Sequence, residues 1–241
     1  MTGNIGTEEA DFLELESRLG YNFTNKDLLL AALTHSTYAY ESKQDKVEDN
    51  ERLEFVGDGI LDFVVAEVLY RKREESGEGY LSKTRSLIVC EPTLAEIAAQ
   101  LNLGLYLRLG RGEEGTGGRD KASNLANAVE ALFAAIYFDG GFEKAREVIQ
   151  RTMEGPIDAA LSGRLVFDYK SKILERAQTK GHAHVVRFDI VDERGPVHDR
   201  EFTAVVFLDD EEFGRGIGSS KKQAEQIASK DALREWEKRF S

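Results

Sequence analysis

Apolar positions between residues 11 and 153 recur at the three- and four-residue spacing of helices, whereas those between 186 and 218 alternate with polar ones. Phe12, Leu13, Leu15 and Leu19 mark a first helix, and Leu28, Leu29, Leu30, Ala32 and Leu33 a second. Tyr40 to Asn50 is polar and charged and reads as a loop leading into a long helix over about 50–73. Glu74 to Gly79 breaks that helix. The next covers Leu81 to Val89, and Pro92 suits the first turn of another. Gly110 to Gly118, rich in Gly and Glu, reads as a loop. Ser123 to Phe138 is a strongly apolar helix closed by Asp139, Gly140 and Gly141, and an amphipathic helix then runs to near Met153.

The pattern changes after Gly155 and Pro156, and residues 156–167 read as a linker with a short helical piece. Asp168 can cap a helix that runs to about Thr179. Val186, Phe188 and Ile190 alternate, as do Phe202, Ala204, Val206 and Leu208, and Phe213 to Gly218 can form a short third strand. Gly195–Pro196 and Asp209–Asp210 fall at turns between these strands. Ser220 to Phe240 is a final helix with Ala224, Ile227, Ala228 and Trp236 inward. The predicted fold is an all-α N-terminal domain, 8–155, followed by a small α+β domain, 168–239, of order α-β-β-β-α.

Composition narrows the function classes. Ala131 to Phe138 is the longest apolar run, far below the roughly 20 residues that a membrane helix needs. The first residues are acidic and lack the basic and apolar regions of a secretory signal. Cys90 is the only cysteine, so no internal disulfide can form, and a cytoplasmic location is expected. The net charge is −12, but residues 1–164 hold 18 Lys and Arg against 29 Asp and Glu, while residues 165–241 hold 14 against 15. The acidity thus belongs to the first domain, and the nearly neutral second can still carry a local basic patch.

The acidic residues of the first domain are patterned. In Asn50 to Leu61, NERLEFVGDGIL, Glu51, Glu54 and Asp58 fall on one helix face beside the core-facing Leu53, Val56, Ile60 and Leu61. Carboxylates beside a core need neutralising, and a divalent cation is the simplest candidate. Glu130 is the only charge between Ser123 and Phe138, with Asn127 one turn before it. Two helices therefore offer oxygen ligands at i,i+3, a set suited to Mg²⁺ and to phosphoryl chemistry. The structural alternative is an ion pair from Glu130 to Arg52 or Arg85.

The second domain has its own constellation. Ser220 and Gln223 make a capping box, which leaves Lys221 and Lys222 in the first turn, where the helix dipole disfavours cations but a phosphate would welcome them. Ser171, Glu175 and Gln178 form a polar stripe able to reach minor-groove 2′-hydroxyls, and His198 lies on the loop that would meet a second minor groove.

The dodecamer at 50–61 closely resembles the signature of bacterial ribonuclease III, the endonuclease that cuts double-stranded RNA. Ala32-Leu33-Thr34-His35-Ser36, Glu78-Gly79-Tyr80-Leu81-Ser82-Lys83 and Asn124 to Asp139 resemble further family segments. Residues 168–226 resemble a double-stranded RNA-binding domain, so the resemblance covers nearly the whole chain. It implies a homodimer that cleaves double-stranded RNA with Mg²⁺, or Mn²⁺ in its place, and uses water as nucleophile. The implied products carry 5′-phosphates, 3′-hydroxyls and short 3′ overhangs, and the implied substrates are ribosomal-precursor and messenger RNAs.

Carried onto this chain, the resemblance implies metal ligation by Glu54, Asp58, Asn127 and Glu130, and catalysis by Asp58, Glu130 and Glu51. Glu51 and Glu78 would lie in the cleavage valley near the RNA or the dimer interface, and Phe55 would insert into the partner subunit. Without the resemblance, Phe55 reads as an ordinary core residue. Many family members have an acidic residue where this chain has Asn127, whose amide oxygen brings no charge, so weaker metal binding is expected. Leu174 replaces a frequent Gln, which removes one minor-groove contact. Two other functions compete: an RNA-binding protein that does not cut, suggested by Asn127, and a metal-dependent DNA nuclease, disfavoured by the 2′-hydroxyl-reading character of the second domain.

Overall fold

The structure, a computed structural model, describes residues 5–42, 47–162, 164–165, 169–178, 184–196 and 200–240. The chain divides into two compact units, Met1–Leu165 and Val166–Ser241.

The first unit is helical: α1 (Ile5–Leu19), α2 (Lys26–Ala32), α3 (Ser36–Glu41), α4 (Glu51–Lys72), α5 (Glu78–Ile88), α6 (Glu91–Gln100), α7 (Arg111–Gly115), α8 (Ala122–Gly140), α9 (Phe142–Thr152) and α10 (Glu154–Leu161). α8 is apolar on nearly every side, and α2, α4, α6 and α9 pack around it. Its contact with α4 is close because α4 crosses at Gly57, where a Cβ would overlap the backbone carbonyl of Glu130.

Two short helices depart from the expected loops. α3 includes Tyr40 and Glu41 and is capped by His35, whose Nδ1 accepts the Thr37 N–H at 3.2 Å. α7 lies within the Gly/Glu-rich stretch, and the Gly118 N–H closes back on the Glu113 carbonyl at 2.9 Å. α10 occupies part of the segment read as a linker, with Ile157 and Ala160 buried in the core of this unit. Asp139 does more than end α8. Its carboxylate accepts the Tyr21 hydroxyl (2.7 Å) and the N–H groups of Thr24 (2.9 Å) and Asn25 (2.8 Å), tying the approach to α2 onto α8.

The second unit comprises α11 (Tyr169–Ala177), β1 (Val186–Arg194), β2 (Glu201–Leu208), β3 (Glu211–Gly218) and α12 (Lys221–Phe240). The strands form an antiparallel sheet in the order β1-β2-β3, with Phe188 opposite Val206 and Ala204 opposite Gly216. Asp209 and Asp210, at φ +50° and +69°, make the tight β2–β3 turn that two left-handed residues allow. The expected cap Asp168 and end point Thr179 of the first helix lie outside the described residues; the Tyr169 N–H donates to Gln226 Oε1 at 2.8 Å.

Helix and sheet meet here almost backbone to backbone. Gly214, Gly216 and Gly218 on β3 leave no room for a Cβ against α12, which answers with the buried Ala224, Ala228 and Ala232. Ile227, expected to face inward, is 39% exposed, because the inward stripe is the four-residue ladder 224–228–232 and residue 227 falls beside it.

Candidate active site

α4 presents Glu51 and Glu54 in its first turn and Asp58 one turn on, and α8 presents Asn127 and Glu130. The crossing at Gly57 brings these side chains to one cleft of about 510 Å³, lined by His35, Ser36, Asn50, Glu51, Glu54, Phe55, Asp58, Asn127 and Glu130. Glu78 does not line it; it stands exposed at the start of α5, where its carboxylate accepts the Ser82 hydroxyl at 2.6 Å. Phe55 is 82% exposed at the cleft, so the core reading of this residue is wrong, although its neighbours Leu53 and Leu61 are buried as expected.

The negative charge of the cleft is only partly compensated. Burial, then the charges of Asp58, Glu54 and Asp62, push the Glu130 carboxyl up to about 7. Glu54 is raised by burial and by Glu51 and Asp58, against the pull of a hydrogen bond from the Asn127 amide and of His35. The alternative of a neutralising arginine is not realised: Arg85 pairs with Asp62 at 3.6 Å, and among the described residues Glu130 has no ion-pair partner.

Among the described residues, no three His, Cys, Asp or Glu side chains already converge as a ligand set. The donors nonetheless fit a hard divalent cation. They are all oxygens, they come from two facing helices, and their mutual repulsion is what such an ion relieves.

His35, Ser36 and Asn50 are cleft residues to which sequence reasoning gave no role. The signal was present, since Thr34-His35-Ser36 is one of the segments that carry the family resemblance. Asn50 does not cap α4; its N–H donates to the Thr34 carbonyl at 2.8 Å and so joins the two segments.

In the second unit, Ser171 and Glu175 are exposed on α11, with Gln178 just past its end, and Ile173 and Ala177 are buried on the opposite side. Lys221 and Lys222 are exposed in the first turn of α12. Ser220 Oγ accepts the Gln223 N–H at 3.2 Å, while Gln223 Oε1 accepts the Ser219 N–H at 2.8 Å, so the capping box closes one residue earlier than usual. Lys221 Nζ lies 5.7 Å from the centre of the Phe202 ring. His198 lies outside the described residues. Among the described residues, no helix is long and apolar enough to cross a membrane.

Comparison with known proteins agrees with both units. The family described as Ribonuclease-III-like matches residues 25–156, and the Double-stranded RNA binding motif matches residues 169–235. The protein named Ribonuclease 3 from Caldanaerobacter subterraneus is 47% identical over 219 residues, covering 91% of this chain and 95% of that one. Ribonuclease 3 from Clostridium perfringens is 40% identical over 236 residues, covering 96% and 98%. A solved nuclease domain of ribonuclease III from Campylobacter jejuni is 43% identical with a TM-score of 0.55, covering 59% of this chain and 96% of its own. With an acidic helical cleft and an RNA-binding fold matched over almost its full length, the chain belongs to the ribonuclease III family of endoribonucleases acting on double-stranded RNA.

Proposed function

We propose that the chain is a homodimeric, Mg²⁺-dependent endoribonuclease of the cytoplasm that hydrolyses double-stranded RNA to products with 5′-phosphates, 3′-hydroxyls and short 3′ overhangs. Ribosomal-RNA precursors and other structured RNAs are its substrates. The observation that carries this reading is the single cleft shared by Glu54 and Asp58 of α4 and Asn127 and Glu130 of α8.

Those four residues would hold the ion, with Mn²⁺ able to replace Mg²⁺. A bound Mg²⁺ supplies the activation of water and the stabilisation of a leaving oxygen that phosphodiester hydrolysis needs. Asp58, Glu130 and Glu51 would be the residues most tied to catalysis, with Glu51 in the cleavage valley near the RNA. Phe55 is exposed, and a mostly apolar groove lined by Phe63, Ala66, Leu69, Tyr70 and Leu81, together with Glu67, Ser82 and Arg85, runs between α4 and α5; both support self-association. The Campylobacter nuclease domain is described as having a region involved in dimer formation, which agrees. In the second unit, Ser171, Glu175, Gln178 and His198 would read minor grooves, and Lys221 and Lys222 the phosphates between them. Glu78 belongs to the valley that the two subunits enclose.

A long RNA duplex incubated with Mg²⁺, with EDTA as control and with the product ends mapped, tests the reading. Discrete short duplexes with the stated ends are expected, together with a dimer in sedimentation. The binding-only reading has one observation in its favour, the neutral Asn127 hydrogen-bonded to Glu54. A gel shift without cutting at any Mg²⁺ concentration would establish it. Asn127→Asp is expected to lower the Mg²⁺ concentration needed for half-maximal cleavage, and an unchanged requirement would show that Asn127 does not weaken the site.

A further inference from the structure

The cleft is rich in acceptors and poor in donors. Glu51, Glu54, Asp58 and Glu130 line it, and a carboxylate only accepts hydrogen bonds, as does a phosphodiester. The Asn127 amide is engaged with Glu54, and Asn50 Nδ2 is directed to the buried Ala32 carbonyl at 3.5 Å. Ser36 carries a hydroxyl that can turn either way. His35 is different, because its surroundings fix which ring nitrogen carries the proton.

The Thr37 backbone N–H can only donate, and it donates to His35 Nδ1 at 3.2 Å. Thr37 Oγ1 accepts the Gly110 N–H at 3.0 Å, so its own proton is free for Nδ1, 2.8 Å away. With Nδ1 accepting, the neutral ring carries its proton on Nε2. The backbone beneath the ring is held as firmly. Thr34 and Arg108 form a parallel bridge, and the His35 N–H donates to the Arg108 carbonyl at 3.0 Å. The Arg108 guanidinium lies 4.3 Å from the Tyr38 ring centre and donates to its hydroxyl at 2.9 Å. A six-residue helix needs only a cap; this apparatus fixes the ring, its tautomer and its place on the cleft wall.

We propose that His35 is a substrate-contacting residue whose Nε2–H donates a hydrogen bond to a non-bridging oxygen of the phosphodiester entering the acidic cleft. The inference rests on the reading of that cleft as a phosphodiester-cleaving site. It adds a hydrogen-bond donor to a wall of carboxylates and so tells a phosphate oxygen where to lie.

Two substitutions separate contact from scaffold. His35→Asn keeps an oxygen acceptor able to cap α3 but removes the far donor. His35→Gln places an amide N–H at about the reach of Nε2. Long-range ¹H–¹⁵N spectra of the metal-free protein, which has four histidines in all, report the tautomer directly, and the His35 signal is assigned by its loss in His35→Asn. An Nε2–H pattern is expected, and an Nδ1–H pattern overturns the proposal.

Single-turnover cleavage of a duplex with one scissile site is then compared for all-oxygen, Rp- and Sp-phosphorothioate substrates. His35→Asn is expected to melt like the parent, to cut about 10- to 100-fold more slowly, and to lose the sulfur penalty of one diastereomer. His35→Gln is expected to recover most of the rate. If His35→Asn cuts like the parent, or keeps both sulfur penalties unchanged, the proposal fails while the reading of the cleft stands. If the parent itself does not cut, the reading of the cleft fails and the proposal falls with it.

Discussion

The acidic cleft of the first unit and the basic start of α12 in the second both hold charge against local preference, with opposite sign and at different depth. In the cleft, burial and mutual repulsion raise Glu54 and Glu130 from their ordinary values. At α12, Lys221 and Lys222 stand at the positive end of the helix dipole but are exposed. The first arrangement is relieved only by a cation that enters among the oxygens, the second by any polyanion laid across the surface. Cleft function should therefore follow pH and metal, and α12 function should follow ionic strength.

The largest break in this contrast is expected from Glu130→Gln, which should lower cleavage by roughly 10³-fold or more in single-turnover assays while leaving duplex binding nearly intact. The same variant tests the electrostatics. A carboxyl held up to about 7 contributes stability that is full below its ordinary value of 4.5 and is lost as pH rises toward 7. Melts of the metal-free parent between those limits should thus show a downward stability slope with rising pH that Glu130→Gln reduces. An identical slope in both proteins would mean that Glu130 is not the group responsible.

Next come the glycines, which both units use for close approach. Gly57→Ala forces α4 away from the Glu130 carbonyl and should cost about 1–3 kcal/mol of stability along with about 100-fold in cleavage. Gly59→Ala, with nothing within 4 Å of its Cβ, should be neutral or slightly stabilising. Gly216→Ala should instead depress duplex binding and the melting of the second unit, since its Cβ would strike the α12 backbone. Equal behaviour of Gly57→Ala and Gly59→Ala in thermal melts and kinetics would remove the close crossing as the determinant of the site.

Lys221→Ala with Lys222→Ala should weaken duplex binding by about tenfold and reduce the dependence of log K on log salt by roughly one for each lysine. Cleavage of saturating substrate should change little, and an unaltered salt slope in binding titrations would take the lysines off the phosphates. The smallest effect is expected at Asp139. Burial raises its carboxyl, but Tyr21, the N–H groups of Thr24 and Asn25, and Lys26 outweigh this and hold it below the ordinary range. The stability it contributes is present above the ordinary carboxylate range and fades as pH falls through the lowered value, so Asp139→Asn should flatten the acid limb of the melting profile. Hydrogen exchange at Thr24 and Asn25 would locate the change.

What could be read from the sequence was what repeats locally. Helix periodicity brought Glu51, Glu54 and Asp58 to one face and exposed Glu130 as a lone charge in an apolar helix. Strand alternation located three strands, and Asp209–Asp210 the turn between the last two. Facts that depend on what a residue meets elsewhere in the chain were hidden. Gly57 looks like any helical glycine until Glu130 is placed beneath it, and Phe55 looks apolar enough for a core that in fact lies on the other side of α4. α3 and α7 are too short to show a period, and α3 is anchored by backbone bonds to Arg108. His35 stands among family-like residues with no task evident in the sequence, because its tautomer is decided by Thr37 and Gly110 together. The Gly214–Gly216–Gly218 row reads as weak strand sequence, and only the neighbouring helix explains why side chains are absent from it.

The crossing of α4 over α8 also bears on how adjustable the cleft can be. Where two helices are separated by side chains, their spacing can be retuned by exchanging a leucine for a valine. At Gly57 nothing lies between the α4 backbone and the Glu130 carbonyl, so no such spacer exists to be changed. The separation between the two ligand-bearing helices is therefore a fixed dimension of the fold, and any tuning of the oxygen cluster falls to the identity and torsion angles of its side chains. Position 127, where an amide stands opposite Glu54, is one place where such tuning is visible in this chain.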